Sequence, residues 1–368
     1  MIGSSNNAGN SKPQTFPGKI AIVTSAQEVN IDTYHSADYL LAKYGPAKII
    51  HRTWPLNFIN NRSKVLEILT ELADDRDIRA IVLNQAVPGI TEAIAKMKEA
   101  RDDVFVVFCF PHDPTAVATV SADLALRTNE VAMGFAMVKQ AQKQGAKAFV
   151  HYSFPRHMKQ PILALRRDKI KDTCAAEGIK FIDAETLDPM GEAGLEAAQK
   201  HIYDDVFGMV TKHGEDTAFF ATNCHLQARL IKAVVENHAI YPQPCCPSPY
   251  HGFFDALGID RDRSLSDLNY LICEASRISE EKNMTDRLSS WPVSAFMLLA
   301  GAGADYAVRW INGEVPKTGI DEDVLQECMN RYVETMIGEE SCVVLDSYTE
   351  DGVVFHNYKQ VLMSYLDF

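Results

Sequence analysis

Four nearly continuous apolar runs recur along the first third of the chain: Lys19–Ser25 (KIAIVTS), Lys48–Trp54 (KIIHRTW), Ala80–Val87 (AIVLNQAV) and Val104–Pro111 (VFVVFCFP). Between them lie helix-period segments, Asp32–Tyr44, Arg62–Asp74 and Gly89–Glu99. A strand whose residues are apolar at odd and even positions alike must be covered on both faces. That is the condition of a parallel sheet with helices packed on each side. Strand, helix, strand in strict alternation therefore predicts a doubly wound α/β sheet with right-handed crossovers.

The alternation restarts after a weaker strand near Asp123–Arg127. Helix Glu130–Gln144, strand Ala148–Ser153, a helix near Ile162–Glu177, strand Lys180–Asp183, helix Gly194–Lys212, strand Ala218–Thr222 and helix His225–Glu236 follow one another. Two sets imply two similar sheets, and 368 residues are enough for two lobes of about 100–200 residues each. The expected division is a polar tether over 1–17, a first lobe over 18–127 plus about 285–341, a second lobe over 128–284, and a tail over 342–368 near the hinge. The long helix Pro292–Gly313 is expected to return to the first lobe. In the tail, Glu350-Asp351-Gly352 between apolar runs reads as a hairpin turn.

In doubly wound sheets the loops after the carboxyl ends of the strands line the crevice where ligands sit. That rule selects Ser25, Gln27, Trp54, Asn84, Gln85, Phe110, His112, Asp113, Tyr152, Arg156, Asn223, Ser248 and Tyr250. They are polar or aromatic groups placed where an apolar strand ends, suited to orienting a small polar molecule. Aromatic faces among them can stack on sugar rings or nucleobases, although packing under a loop is the ordinary use of such residues. Asp113 can accept two ligand hydroxyls, or it can serve as a turn and helix cap before Pro114.

The net charge of -13, with no basic stripe, excludes nucleic-acid binding as an expectation. No apolar run approaches the roughly 20 residues of a membrane span. Ser294–Ile311, interrupted by Gly301, Gly303, Asp305 and Arg309, reads as a buried core helix. The eight cysteines form no C-x-x-C pair and no disulfide framework. Gly3–Pro17 (GSSNNAGNSKPQTFP) has the composition of the tether behind a lipid-anchored cysteine, so the expectation is an extracytoplasmic lipoprotein whose signal has been removed. A cytoplasmic form is the alternative.

The order of KIAIVTS at Lys19, AIVLNQ at Ala80, ADLALRTNEVAMGFAMVKQAQKQGA at Ala122 and AFFATNCHLQARLIKAV at Ala218 resembles the type I periplasmic binding proteins. These are receptors for sugars, nucleosides and autoinducers, and they share their fold with sensor domains of the lactose-repressor type. The resemblance covers residues 18–313. It implies two lobes closing on a ligand, with Asn223 where the family has a ligand-bonding Asn or Asp, and Arg166 or Arg167 where it has a ligand-bonding arginine. SSWPVSAFM at Ser289, YAVRWINGEVP at Tyr306 and DGVVFHNYKQVLMSYLDF at Asp351 are similar to a branch from anaerobic bacteria classed as a domain of unknown function. Its members are sometimes designated transcriptional regulators.

Other chemistry is weaker. His151 and His157 have no Cys, Asp or Glu at supporting metal spacing. Gly301-Ala302-Gly303-Ala304 follows no strand and lacks the third glycine of a dinucleotide fingerprint, so close helix packing explains it better. Cys245-Cys246 could be a redox pair, but vicinal cysteines form strained disulfides and prolines crowd both sides. No G-x-S-x-G, H-E-x-x-H or phosphate-loop motif is present. The expectation is a solute receptor without enzymatic activity, cofactor or metal, acting as a monomer or homodimer with a membrane permease as partner. A ligand-sensing domain of a regulator and an enzyme using the cleft are the alternatives.

Overall fold

The computed structural model describes residues 15–338 and 342–368. Most of the expected tether, residues 1–14, lies outside the described residues. The alternation folds as its pattern requires. β1 (Lys19–Thr24), β2 (Ile49–Thr53), β3 (Ile78–Asn84), β4 (Phe105–Cys109) and β5 (Leu124–Thr128) are joined by α1 (Ile31–Tyr44), α2 (Arg62–Asp74), α3 (Thr91–Ala100) and α4 (Thr115–Ser121). After α5 (Glu130–Lys143) come β6 (Ala148–Ser153), α6 (Pro155–Met158), α7 (Pro161–Ala176), β7 (Lys180–Glu185), α8 (Gly194–His213), β8 (Thr217–Ala221) and α9 (Gln227–Glu236). Helices α10 (Phe253–Leu257), α11 (Arg261–Ser266) and α12 (Leu268–Glu281) precede β9 (Ser289–Ser290). The chain then runs through α13 (Ala295–Ile311), α14 (Glu322–Ile337), β10 (Val343–Glu350), β11 (Val353–Met363) and β12 (Leu366–Asp367).

Two compact units result. The first holds the chain through Leu126 with 300–325 and 355–358; the second holds 127–299, 326–354 and 359–368. The sequence assigned about 285–341 to the first lobe, whereas only 300–325 of that stretch lies there. The start of α13 stays in the second unit, where Ala295 N donates to Pro247 O at 3.1 Å.

In the first unit the strands run parallel in the order β2-β1-β3-β4-β5. Ile20, Ile22, Val82, Val106 and Phe108 have no exposed surface, as strands sandwiched between helix layers require. β11 continues the sheet beyond β5, and Asn357 in it donates to the carbonyls of Thr119 and Ala122 at 2.9 and 3.0 Å. α13 lies close against this sheet because Gly303 has no side chain. A Cβ there would stand 2.8 Å from Val107 Cγ1 and 3.3 Å from Leu126 Cδ1. The expected core helix is therefore borne out in the buried run through Trp310. Its one deep charge, Asp305, accepts from Tyr39 OH (2.8 Å), Lys43 Nζ (2.5 Å) and Tyr44 OH (2.6 Å), which offsets the cost of desolvating a carboxylate.

In the second unit β7-β6-β8 are parallel. Single-residue bridges extend them, Ala218 to Ile240 and Tyr241 to Leu288, and β12 then pairs antiparallel with β9. Counted along the unit, its strands stand second, first, third, fourth, fifth, the same order as in the first unit. Gly134 of α5 lets α7 approach, since a Cβ would meet Arg166 O at 2.8 Å. The β10–β11 connection is the expected tight hairpin: Asp351 and Gly352 both take positive φ, +50° and +78°, as a two-residue type I′ turn demands.

Candidate functional site

In the first unit the loops after β1 and β2 border an open cavity of about 490 Å³. It is lined by Ala26, Gln27, Glu28, Tyr34, Thr53, Trp54, Pro55, Leu56, Lys64 and Ile68. Trp54 forms the wall because Trp54 N donates to Thr24 O at 2.8 Å and its indole Nε1 to Gln85 O at 3.0 Å. Ser25 Oγ donates to Gln85 Oε1 at 2.6 Å. Behind the wall His51 Nε2 stands 2.8 Å from Thr24 Oγ1 and its ring 5.2 Å from that of Tyr34. Burial holds His51 below the usual histidine value, so its ring is neutral at neutral pH. Gln27 Nε2 reaches His35 Nε2 at 3.3 Å, and His35 Nδ1 lies 2.6 Å from Asp38 Oδ2.

Two of the predicted residues at neighbouring strand ends hold left-handed backbone without being glycine: Gln85 at φ +62° and Phe110 at +48°. Such geometry costs of order 1–3 kcal/mol per residue and persists where surroundings impose it, commonly at ligand clamps. Ala86 N bonds to Cys109 O and His112 N to Ala86 O, both at 3.0 Å, so the two strand ends impose it on each other. Asp113 takes the bracing role: it accepts from Gly89 N at 2.9 Å and Thr91 Oγ1 at 3.0 Å, tying the β4 loop to the start of α3. His112 is exposed, edge-on to Phe58 at 6.4 Å. Asn84 lies wholly inside, its amide on Ser36 Oγ at 2.9 Å, holding α1 to β3.

The second unit has a concavity of about 300 Å³ at the corresponding place, after its own first and second strands. Ser153, Phe154, Pro155, Met158, Asp183, Ala184 and Glu185 line it. Arg156 beside it is exposed, forks onto Asp188 at 2.7 and 2.8 Å and lies over the Phe154 ring at 5.2 Å. The guanidinium holds the Asp188 carboxyl at about 2, well below its usual value. His157 Nδ1 is 3.0 Å from Thr222 Oγ1, and burial, aided by Arg156, lowers it to about 4.

The remaining predicted residues sit deeper. Tyr152 is fully buried, stacked on Phe219, with its OH on Asp205 Oδ2 at 2.7 Å. Arg166 is sealed in the interior against Glu130 and the Phe220 face. Asn223 caps the 3-10 turn Cys224–Leu226, accepting from His225 N at 2.9 Å. Ser248 and Tyr250 are buried in the proline loop, where Ser248 Oγ accepts from Tyr250 N at 3.2 Å. Strand-end position alone could not separate these from surface groups, because a side chain one residue before the end points into a helix layer. Tyr34, Thr53, Glu28 and Lys64 of the cavity were missed. Tyr34 and Lys64 stand on helices, where period-3.6 reading treats them as ordinary face residues, and no signal in the sequence would have found them. Among the described residues no helix is long and apolar enough to cross a membrane. Among the described residues, the metal-ligating atoms of Cys224, Cys246 and His251 lie within 4.8 Å of one another.

The sequence model of DUF3798, described as a protein of unknown function, matches residues 18–289. The chain belongs to this family. Two Treponema pallidum (strain Nichols) proteins, both described as uncharacterized, are similar to this DUF3798 chain. One is 31% identical over 188 residues, 51% of this chain and 85% of the relative; the other is 34% identical over 143 residues, 39% and 65%. Among solved structures, a protein of Clostridium difficile 630 with a provisional transcriptional-regulator designation superposes with a TM-score of 0.82 at 23% identity. That match covers 96% of this chain and all of the other. A sugar ABC transport substrate-binding protein of Bordetella parapertussis 12822 gives 0.54 at 15%, over 98% and 92%; a sugar-binding protein of Bacillus halodurans gives 0.52 at 14%, over 81% and 89%. At these identities the likeness shows the fold: this DUF3798 chain has the α/β architecture of the type I periplasmic binding proteins.

Proposed function

We propose that the protein is a receptor for a small polar solute, a sugar, nucleoside or related hydroxylated metabolite, and that it releases the solute unchanged. The cavity after β1 and β2 carries this reading. It combines the half-buried Tyr34 ring with the amide of Gln27, the hydroxyl of Thr53 and the opposed charges of Glu28 and Lys64, while Trp54, only 2% exposed, backs the wall. Rings supply stacking surface and the polar groups fix orientation, the usual division of labour in small-molecule sites. The residues at the ends of β3 and β4, Gln85 and Phe110, border the same face, and Arg156 offers an exposed polar group in the second unit. Delivery to a membrane permease is the role that the sugar-transport relatives of the same fold suggest. A sensing role in transcription, suggested by the designation of the Clostridium difficile structure, uses the same binding chemistry.

The test is native mass spectrometry of freshly purified protein followed by a thermal-shift screen of sugars, nucleosides and amino acids. One compound class that raises the melting temperature, with Gln27→Ala weakening it at least tenfold, about 1.4 kcal/mol, supports the receptor. Conversion of the compound into product identifies an enzyme instead. Absence of any shift across all classes removes the receptor reading.

A further inference from the structure

We propose that Cys224, Cys245, Cys246 and His251 of the second unit form a binding site for a zinc ion. The donor atoms of Cys224, Cys246 and His251 all lie within 4.8 Å of one another. Cys245 adds a third sulfur, 3.4 Å from Cys224 and 3.9 Å from Cys246, while Cys224 and Cys246 are 3.6 Å apart; it stands outside the group that converges within 4.8 Å of His251, so it must swing toward the imidazole to complete four-coordination. A tetrahedral zinc with Zn–S bonds of about 2.3 Å requires sulfur atoms about 3.8 Å apart. The three observed edges bracket that value. No pair is joined as a disulfide, whose sulfurs would stand at about 2.0 Å.

Three separate stretches bring these groups together. Cys224 opens the 3-10 turn after β8, Cys245 and Cys246 lie in the loop between Pro242 and Pro249, and His251 sits in the turn before α10. Gln227 locks the first stretch, donating to Ala221 O at 3.0 Å and Asn223 O at 2.7 Å, and it accepts from Tyr241 OH at the start of the second. Gly252, at φ +92°, draws the third onto the start of α9, where a Cβ would stand 2.9 Å from Ala228 N. Four prolines fix the loop that carries the vicinal cysteines. Packing alone gives no reason for three sulfurs and an imidazole to converge, since a small apolar residue fills such space equally well.

The donor set selects the ion. It offers three sulfurs, one nitrogen and no oxygen, which disfavours magnesium and calcium and suits a soft or borderline cation in four-coordinate geometry. On binding, three S–Zn bonds and one N–Zn bond form, and three thiol protons pass to solvent. Affinity therefore falls as pH is lowered. Four protein donors leave no open position, so the ion staples the β8 turn, the proline loop and α10 together without a catalytic part.

The experiment uses the full chain, purified under reducing conditions without metal-affinity resin, and is independent of the solute reading. We expect about one zinc per chain after reconstitution. The melting temperature should drop on chelation and recover with zinc. Cobalt(II) should give the intense d–d bands and sulfur charge-transfer band of a tetrahedral thiolate site. Cys246→Ser and His251→Ala should each weaken zinc at least about tenfold, while Cys273→Ser, exposed on α12, leaves it unchanged. Where a variant does not fold, the cobalt spectrum of the unaltered chain decides. Less than about a tenth of an equivalent of zinc, a cobalt spectrum without sulfur charge transfer, uptake of copper(I) with none of zinc, or a disulfide among the three thiols in the reduced preparation would each overturn the site.

Discussion

Arg166 shows what a buried charge does when nothing polar from outside reaches it. Its side chain is 2% exposed, paired with Glu130 and laid over Phe220 at 5.1 Å, and its Nε finds no partner among the described residues. Removing one member strands the other, so Arg166→Ala should lower unfolding free energy by about 3 kcal/mol, and Arg166→Met with Glu130→Gln should recover much of it. Urea denaturation of both variants checks this; an unchanged midpoint in Arg166→Ala would place the guanidinium in water. His157 sets a pH dependence. Its folded value of about 4 lies below the ordinary 6.5, because burial first and Arg156 second disfavour the charged ring. As pH falls the unfolded chain takes up the proton first. Stability from this residue is thus complete above about pH 6.5 and is lost between there and pH 4, by about 3 kcal/mol. His157→Gln should flatten the urea midpoint over that interval relative to the parent.

At the level of elements, glycine marks where packing is closest. Gly303→Ala should destabilise by about 1–3 kcal/mol, because the new methyl meets Val107 at 2.8 Å and the sheet behind it cannot yield. Gly208, exposed in α8 with nothing within 4 Å of a Cβ, should gain up to about 1 kcal/mol as alanine. Thermal melts of the pair separate the two cases, and a stabilised Gly303→Ala would mean that α13 stands off the sheet. The same contrast explains what could be read from the sequence. VFVVFCFP and its counterparts declare themselves as strands because covering on both faces leaves no polar alternation. Ile240 and Leu288 complete the second sheet through one-residue bridges, and single residues carry no period. Asn84 and Tyr152 stand near strand ends as expected, yet their side chains turn inward, a fact set by the pleat and the neighbouring helix, and Arg166 turns inward from the first turns of α7. The thiol cluster escaped because Cys224 lies far from Cys245 and Cys246 along the chain, and only the fold around Gln227 and Gly252 joins them.

Across the whole molecule the tryptophans divide usefully, with Trp54 and Trp310 in the first unit and Trp291 in the second. In Trp291→Phe, fluorescence follows the first unit alone. A solute that fills the cavity beside Trp54 at a hundredfold excess over its Kd should stabilise that unit by about 2.7 kcal/mol, read as a higher urea midpoint. A shift seen only when Trp291 is the reporter would move the binding face to the second unit. The tail has a consequence of another kind. β11 covers the outer edge of β5, with β10 outside it, and β12 covers that of β9, so in each sheet the strand that covers this edge is the last to be made. At 5–20 residues per second a ribosome leaves the β5 edge bare for on the order of 10–45 s and the β9 edge for about 4–15 s. During that interval each nascent sheet offers an unpaired ribbon of amides and carbonyls to any neighbouring chain. The yield of this protein in a cell should therefore depend on translation speed and on chaperones that shield young chains, well before its equilibrium stability comes into play.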